Sequence, residues 1–388
     1  MIVPERLAAE WPERRARLTA RLEEQRFGAL FLPPSADLEY LTGIERDLPS
    51  FGESMYANGW VTGAFLGPGR APVFVLPRMY VLFHLDGVAP PDAIVANETD
   101  DGEALFREAA RRFGDIGRIA VGSRTSARTA LALQRALPGA EVVAAGSLVS
   151  ALRRVKSDVE LELMEAACAI ADEAMAATAT RVVPGFTMRE LQEDVEHELA
   201  KRGSRCPSFP THIFSWHGHD SSDATGREPI GEGECVMFDF GAVHHGYCSD
   251  FGRTVVAGEP PPGYLGAYDV MLAAQEAGRA ALVPGALARE VNVACRGPIE
   301  EAGLGDAFRH RMGHGIGLDV HERPFLSPED ETVLEAGMVF TDEPSILLDN
   351  RFGVRIEDVV VCAETGGRRL NRLGSGPLPG ASATGKGL

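Results

Sequence analysis

The chain has 388 residues, 45% hydrophobic and 24% charged, which suits two globular domains and excludes a mainly disordered protein. Its net charge of −18, from 38 Lys and Arg against 56 Asp and Glu, argues against a nucleic-acid binder and against docking on anionic lipid. There is no apolar run long enough to cross a bilayer and no charged-then-apolar leader. The six cysteines (Cys168, Cys206, Cys235, Cys248, Cys295 and Cys362) form no C-x-x-C pair. The expectation is a cytoplasmic protein with buried, reduced thiols.

Residues 4–27, with Leu7, Trp11, Leu18 and Leu22 at helical spacing, predict an amphipathic helix. Ala29 to Leu32, Val61 to Leu66, Val73 to Leu76, Ile119 to Val121 and Glu141 to Ala144 read as strands. Gly102 to Phe113 and Ser126 to Ala136 read as helices. Strands alternating with helices predict a mixed α/β domain over residues 1–150. From Ser150 to Lys156 the texture changes. Helices are expected over Asp158 to Arg181, Met188 to Arg202, Tyr264 to Leu282 and Ala286 to Ala302. Glycine-bounded strands start at Cys235, and the last two are Met338 to Thr341 and Val354 to Cys362. Residues 155–372 are expected to form a second domain. The Gly-, Ser- and Pro-rich residues 373–388 read as a flexible tail.

Five residues in the second half carry chemistry: Asp239 in Val-Met-Phe-Asp-Phe-Gly, Asp250 in Cys-Ser-Asp-Phe-Gly, His314 in Gly-His-Gly-Ile-Gly, Glu343 in Thr-Asp-Glu-Pro and Glu357 in Arg-Ile-Glu-Asp. A carboxylate among Val, Met and Phe carries a large desolvation cost unless a cation offsets it, and neighbouring carboxylates repel. One or two divalent metals resolve both problems. A mainly oxygen donor set suits Mn²⁺, Co²⁺, Fe²⁺ or Zn²⁺ better than a thiolate site would. Any one of these acids alone is more often solvated or salt-bridged; the weight rests on all five together.

The stretch from His310 to Pro324 (His-Arg-Met-Gly-His-Gly-Ile-Gly-Leu-Asp-Val-His-Glu-Arg-Pro) and Arg355-Ile356-Glu357-Asp358 resemble the signatures of the pita-bread metallohydrolases, which include prolidase, aminopeptidase P, methionine aminopeptidase and creatinase. Leu152 to Ser157 resembles the entry into that family's catalytic domain. Residues 12–45, ending near Glu39-Tyr40-Leu41-Thr42-Gly43, resemble the start of a creatinase-type N-terminal domain. The resemblance implies an α/β (α+β) fold: a creatinase-type N-terminal domain, then a pita-bread domain whose curved antiparallel sheet holds two divalent ions, Mn²⁺ or Co²⁺ first, Zn²⁺ or Fe²⁺ otherwise. It further implies metal ligation by Asp239, Asp250, His314, Glu343 and Glu357, with Asp250 and Glu357 shared and a water activated between the ions. Glu343 would move the proton, His321 would stabilise the oxyanion, and His310 with Arg355 would clamp a substrate carboxylate or carbonyl.

The activity implied is hydrolysis of a small amide, an Xaa-Pro dipeptidase or aminopeptidase, with a small peptide as partner. The family is commonly homodimeric, and Glu53 to Trp60 is a candidate for closing a partner's site. Alternatives on the same scaffold are an ectoine-type hydrolase, a creatinase-like amidinohydrolase or a sulfonium-propionate lyase; a further one is an inactive binding module. Two departures bear on the substrate. The histidine usual about seventeen positions before the first aspartate is replaced near Ser222 and Asp223, with His217, His219 or neither standing in, and Met312 replaces a residue that is often Thr. Phe214 and Trp216 are expected to line a proline wall, and His244 and His245 to lie on the surface.

Overall fold

Three short apolar runs, too short for helices and ended by Pro or Gly, become the buried strands Ala29–Leu32, Gly63–Leu66 and Val73–Pro77 of the first unit. The computed structural model describes residues 5–46, 56–216 and 218–379 and divides into Met1–Arg153 and Arg154–Leu388. In the first unit, six strands lie in the order Ile94–Ala96, Val73–Pro77, Gly63–Leu66, Ala29–Leu32, Arg118–Val121, Glu141–Ala144. Ala29–Leu32 pairs antiparallel with Gly63–Leu66 and parallel with Arg118–Val121, so the sheet is mixed as expected. Phe31, Phe65 and Phe106 pack edge to face in its core, with centroids 5.1 to 5.7 Å apart. Helix Glu5–Glu24 is tied down by Arg14, which donates to the Tyr40 carbonyl and covers the Tyr40 ring. Of the segment Glu53 to Trp60, residues 53–55 lie outside the described residues. Trp60 packs inside its own unit against Phe106.

In the second unit, helix Asp158–Ala179 leads through Val183-Pro184-Gly185 into helix Met188–Lys201. Helix Tyr264–Ala281 leads through Val283-Pro284-Gly285 into Ala288–Glu301. Gly185 and Gly285 both take positive φ (97° and 89°), which only glycine adopts freely; Glu190 closes a capping box with Thr187, and Glu290 accepts the Leu287 N–H at the matching place. One sheet runs Leu378–Pro379, Phe251–Val256, Cys235–Phe240, His212–Phe214. Another runs Glu322–Leu326, Gly313–Gly315, Val339–Asp342, Asp358–Val361, Arg368–Arg369. The expected single strand Val354 to Cys362 is two strands, Phe352–Arg355 and Asp358–Val361. The break at Ile356-Glu357 passes the chain from the hairpin with Ser345–Leu348 into the second sheet. His244 and His245, expected at the surface, are half-buried. Five cysteines are buried, Cys206 is half-buried, and none is in a disulfide. Among the described residues no helix is long and apolar enough to cross a membrane.

Arg253, fully buried, holds the two sheets together. It donates to the Gly252 and Glu357 carbonyls, to Asp358 Oδ1 at 2.8 Å, and to the carbonyls of Leu373 and Gly374. Residues 373–379 are therefore not part of a loose tail. Arg369 donates to the Leu373 carbonyl, Tyr268 to Ser375, and Ser375 to Asp358, while Leu378–Pro379 extends the first sheet. The Gly- and Ser-rich composition suggested a loose segment because it cannot reveal that backbone carbonyls are recruited by a buried guanidinium. Asp358→Ala should leave Arg253 buried without its carboxylate and cost about 3–5 kcal/mol. Urea unfolding checks this, and a loss below about 1 kcal/mol would contradict it.

Candidate metal centre

Asp239 is the penultimate residue of Cys235–Phe240, and Asp250 immediately precedes the antiparallel Phe251–Val256. Gly252 sits opposite Asp239. Its N–H and C=O both bond to Glu357, joining the two sheets at this point. A Cβ at Gly252 would lie 2.8 Å from Glu357 Oε2 and 2.9 Å from Arg355 Cδ, so glycine is what admits both side chains. Ligand oxygens of Asp239, Asp250 and Glu357 lie within 4.8 Å of one another.

His314 enters from Gly313–Gly315, with Nε2 3.5 Å from Asp250 and 3.6 Å from Glu343. Its Nδ1 donates to the Gly315 carbonyl at 3.1 Å, which fixes the tautomer and leaves the Nε2 lone pair facing the acids. Thr341 Oγ1 accepts from the His314 N–H and donates to Glu343, locking these two together. His321 packs edge-on against His314, with centroids 4.1 Å apart. The loop carrying His321 is pinned by the buried Lys156–Glu322 pair at 3.2 Å.

Electrostatics show how uncomfortable this grouping is for protein atoms alone. Burial pushes Glu357 up strongly, and Asp250, Glu343 and Asp239 add to it. Burial raises Glu343 to about 7. Asp239 is raised by burial despite the opposing Arg355, whose Nη1 bonds to Asp239 Oδ2. Burial alone would lower His314, but its contact with Asp250 and the charge of Glu343 raise it. Burial lowers His321, and His314 and Arg311 lower it further. Asp250 Oδ1 and Glu357 Oε2 are buried without any hydrogen-bond donor. Orphaned carboxylate oxygens facing an oriented imidazole lone pair fit divalent cations, which supply the missing positive charge without a proton.

Asp239, Glu343, His321, His310 and Arg355 also line a cleft of about 740 Å³ with Phe325, Arg296, Arg309, Arg311, Ser327, Pro328 and Glu329. His310 and Arg355, the expected clamp, both line this cleft, and their polar atoms also have partners within the protein. His310 Nδ1 donates to the Arg311 carbonyl and Nε2 meets Ser345 Oγ. Burial and the neighbouring arginines, Arg355 first, lower its pKa to about 4, so it is neutral with both nitrogens engaged. Arg355 is committed to Asp239. The expected proline wall is displaced too: Trp216 lies under Arg309 and bonds to Asp349, and Phe325 is the ring that lines the cleft.

His219 is held by Glu234 and Glu228 and lies outside the cleft lining, while His217 is outside the described residues. The imidazole placed beside the acids is His212, in register with Asp239, stacked on Phe214 and held by Asp220 at 2.9 Å. Its signal was the alternation His212, Phe214 within a short run that pairs only across the chain.

Residues 162–364 match metallopeptidase family M24, and residues 14–155 match the creatinase/prolidase N-terminal domain. The chain belongs to family M24. It is 40% identical over 228 residues to an Xaa-Pro dipeptidase of Pyrococcus furiosus, an alignment covering 58% of this chain and 65% of that protein, just under two thirds of the relative's length. The structure resembles dipeptidase PepE from Mycobacterium ulcerans (TM-score 0.81, 32% identity, 96% of this chain and 98% of that one). It also resembles an Xaa-Pro dipeptidase from Bacillus anthracis (TM-score 0.81, 27% identity, 95% and 99% covered). The fold is therefore a creatinase-type domain followed along the chain by the pita-bread arrangement, and membership of an M24 metallopeptidase family implies divalent metal ions.

If the acids are a metal centre, ion binding must stabilise the fold. A ligand at a hundred times its Kd stabilises by about 2.7 kcal/mol. Adding Mn²⁺ to chelator-stripped protein should raise Tm by several degrees, and the double variant Asp250→Ala, Glu357→Ala should show no rise. Equal rises in both proteins, measured by calorimetry, would exclude these residues as ligands.

Proposed function

We propose that this chain is a metal-dependent dipeptidase that cleaves the amide bond preceding proline in Xaa-Pro dipeptides. The observation that carries this reading is the meeting of Asp239, Asp250, His314, Glu343 and Glu357 at the head of the cleft, with ligand oxygens left without donors. The names of the relatives support the dipeptidase part. Asp239 and His314 would each hold one ion, Asp250 and Glu357 would be shared, and Glu343 would join His314. Mn²⁺ or Co²⁺ fits the oxygen-rich set best, with Zn²⁺ or Fe²⁺ as the other choices. When bound, the ions supply Lewis-acid polarisation of the scissile carbonyl and lower the pKa of the attacking water.

The chain's own residues do the rest. Glu343, raised by burial, accepts the proton from the attacking water and delivers it to the departing nitrogen. His321, kept below the usual histidine range by burial and by His314, is a neutral N–H donor for the oxyanion. Phe325, with Arg311 and Arg323 stacked on its ring, adds apolar surface to the cleft. The free cysteines support a reducing, cytoplasmic compartment, and the homodimer common in the family is carried over as part of this reading. The non-peptide alternatives are not favoured by the relatives, and an inactive binding module does not account for five undamaged ligand positions.

With Mn²⁺ or Co²⁺ present, Ala-Pro should be hydrolysed well above the proline-free control Ala-Ala. His321→Ala should lose about a hundred- to a thousandfold in kcat while its metal content is unchanged. Steady-state kinetics with metal analysis checks both. No cleavage of Ala-Pro by protein holding two ions would point to a non-peptide substrate.

A further inference from the structure

Two glycines of Gly-His-Gly-Ile-Gly flank His314, and the third, Gly317, makes room for something else. A Cβ at Gly317 would lie 2.9 Å from Glu322 Oε1 and 3.0 Å from Lys156 Cε. These two side chains form an ion pair almost sealed from solvent, 3% and 7% exposed, with Nζ 3.2 Å from Oε2. Both ends of the pair are anchored. Lys156 donates its backbone N–H to the Gly337 carbonyl at 2.9 Å, and Val155 bridges to Met338, the residue before strand Val339–Asp342. That strand leads directly into Glu343. At the other end, Glu322 lies in register with Gly315, the neighbour of His314. Its Oε1 accepts the Asp319 N–H at 3.1 Å, and the Asp319 carbonyl accepts from Gly317 at 3.0 Å. Glu322 thereby closes the turn that carries Val320 and His321, and the His321 ring comes to rest edge-on against His314.

A buried ion pair adds little net stability, because desolvation offsets its attraction, and apolar groups of similar volume often serve the fold as well. The use of this one is geometric. Through it the turn that bears His321 is referenced to the strand that delivers Glu343. Those two groups act on one tetrahedral centre in the hydrolysis proposed above, and a misplacement of about 1 Å at such a site can cost about a hundredfold in rate. We propose that Lys156 and Glu322 are positioning residues that hold the His321 imidazole in place relative to Glu343, without touching substrate or metal. The consequence for turnover rests on the oxyanion role read for His321; the placement of the ring does not.

The test uses the metal-loaded enzyme and Ala-Pro. Lys156→Met alone leaves the Glu322 carboxylate buried and unpaired, which destabilises strongly, so the informative protein is the pair variant Lys156→Met, Glu322→Leu. Its thermal midpoint and metal content establish that it is folded and loaded. Its kcat should fall about 10- to 100-fold while KM stays within about threefold. In the His321→Ala background the same two substitutions should change kcat by less than about twofold, because no imidazole is left to place. A crystal structure of the loaded pair variant should show the His321 ring shifted by about 1 Å or more from its packing on His314. An unmoved ring, a wild-type kcat in the pair variant, or an equal loss with and without His321 overturns the proposal. A loss in His321→Ala with none in the pair variant overturns the proposal alone and leaves the oxyanion role standing. Full turnover in His321→Ala overturns both. A shifted ring in a protein whose wild type cleaves no Xaa-Pro peptide upholds the positioning and overturns the dipeptidase reading.

Discussion

Four carboxylates gathered around one imidazole in a buried site repel one another, and the second unit is organised around that repulsion. Water cannot screen them, and protein donors reach only some of their oxygens. The fold answers in part with a cation of its own: Arg355 pairs with Asp239 and is held above arginine's ordinary range mainly by that aspartate against the effect of burial. One guanidinium cannot balance Asp250, Glu343 and Glu357 as well, and burial leaves Glu357 and Glu343 shifted upward. The remaining imbalance is the physical demand for divalent cations.

Maintaining so strained a grouping requires rigid support on every side. Gly252 lets the two sheets approach within backbone hydrogen-bonding distance at Glu357. Arg253 then holds both sides of that junction through the Glu357 carbonyl and the Asp358 carboxylate. Thr341 and the Gly315 carbonyl set the direction of His314. These contacts lie one layer behind the site and position side chains without touching a substrate.

The sequence made the metal-site candidates legible because each sits in a local signature: a carboxylate inside an apolar strand, or a histidine between glycines. Helix positions were legible for a similar reason, since the caps Ser126, Ser157 and Thr187 act within a few residues. What escaped was set by partners far along the chain. His310 looks like a free imidazole until Ser345 and the Arg311 carbonyl are seen to occupy both nitrogens. His212 has meaning only opposite Asp239. The interruption of Val354 to Cys362 at Glu357 follows from a bridge to Gly252 that no local periodicity encodes. The recurrence of Val-Pro-Gly before both second helices was visible in the letters, but its significance came from the matching helix pairs.

The proposed dipeptidase requires the acids and His314 to hold two ions. The most direct measurement is a crystal structure of the Mn²⁺-loaded protein with anomalous diffraction recorded at the manganese edge. Two peaks enclosed by Asp239, Asp250, His314, Glu343 and Glu357, with Asp250 and Glu357 touching both, are the predicted result. An absence of peaks there under saturating metal, or ions bound elsewhere while the acids hold protons, would contradict it.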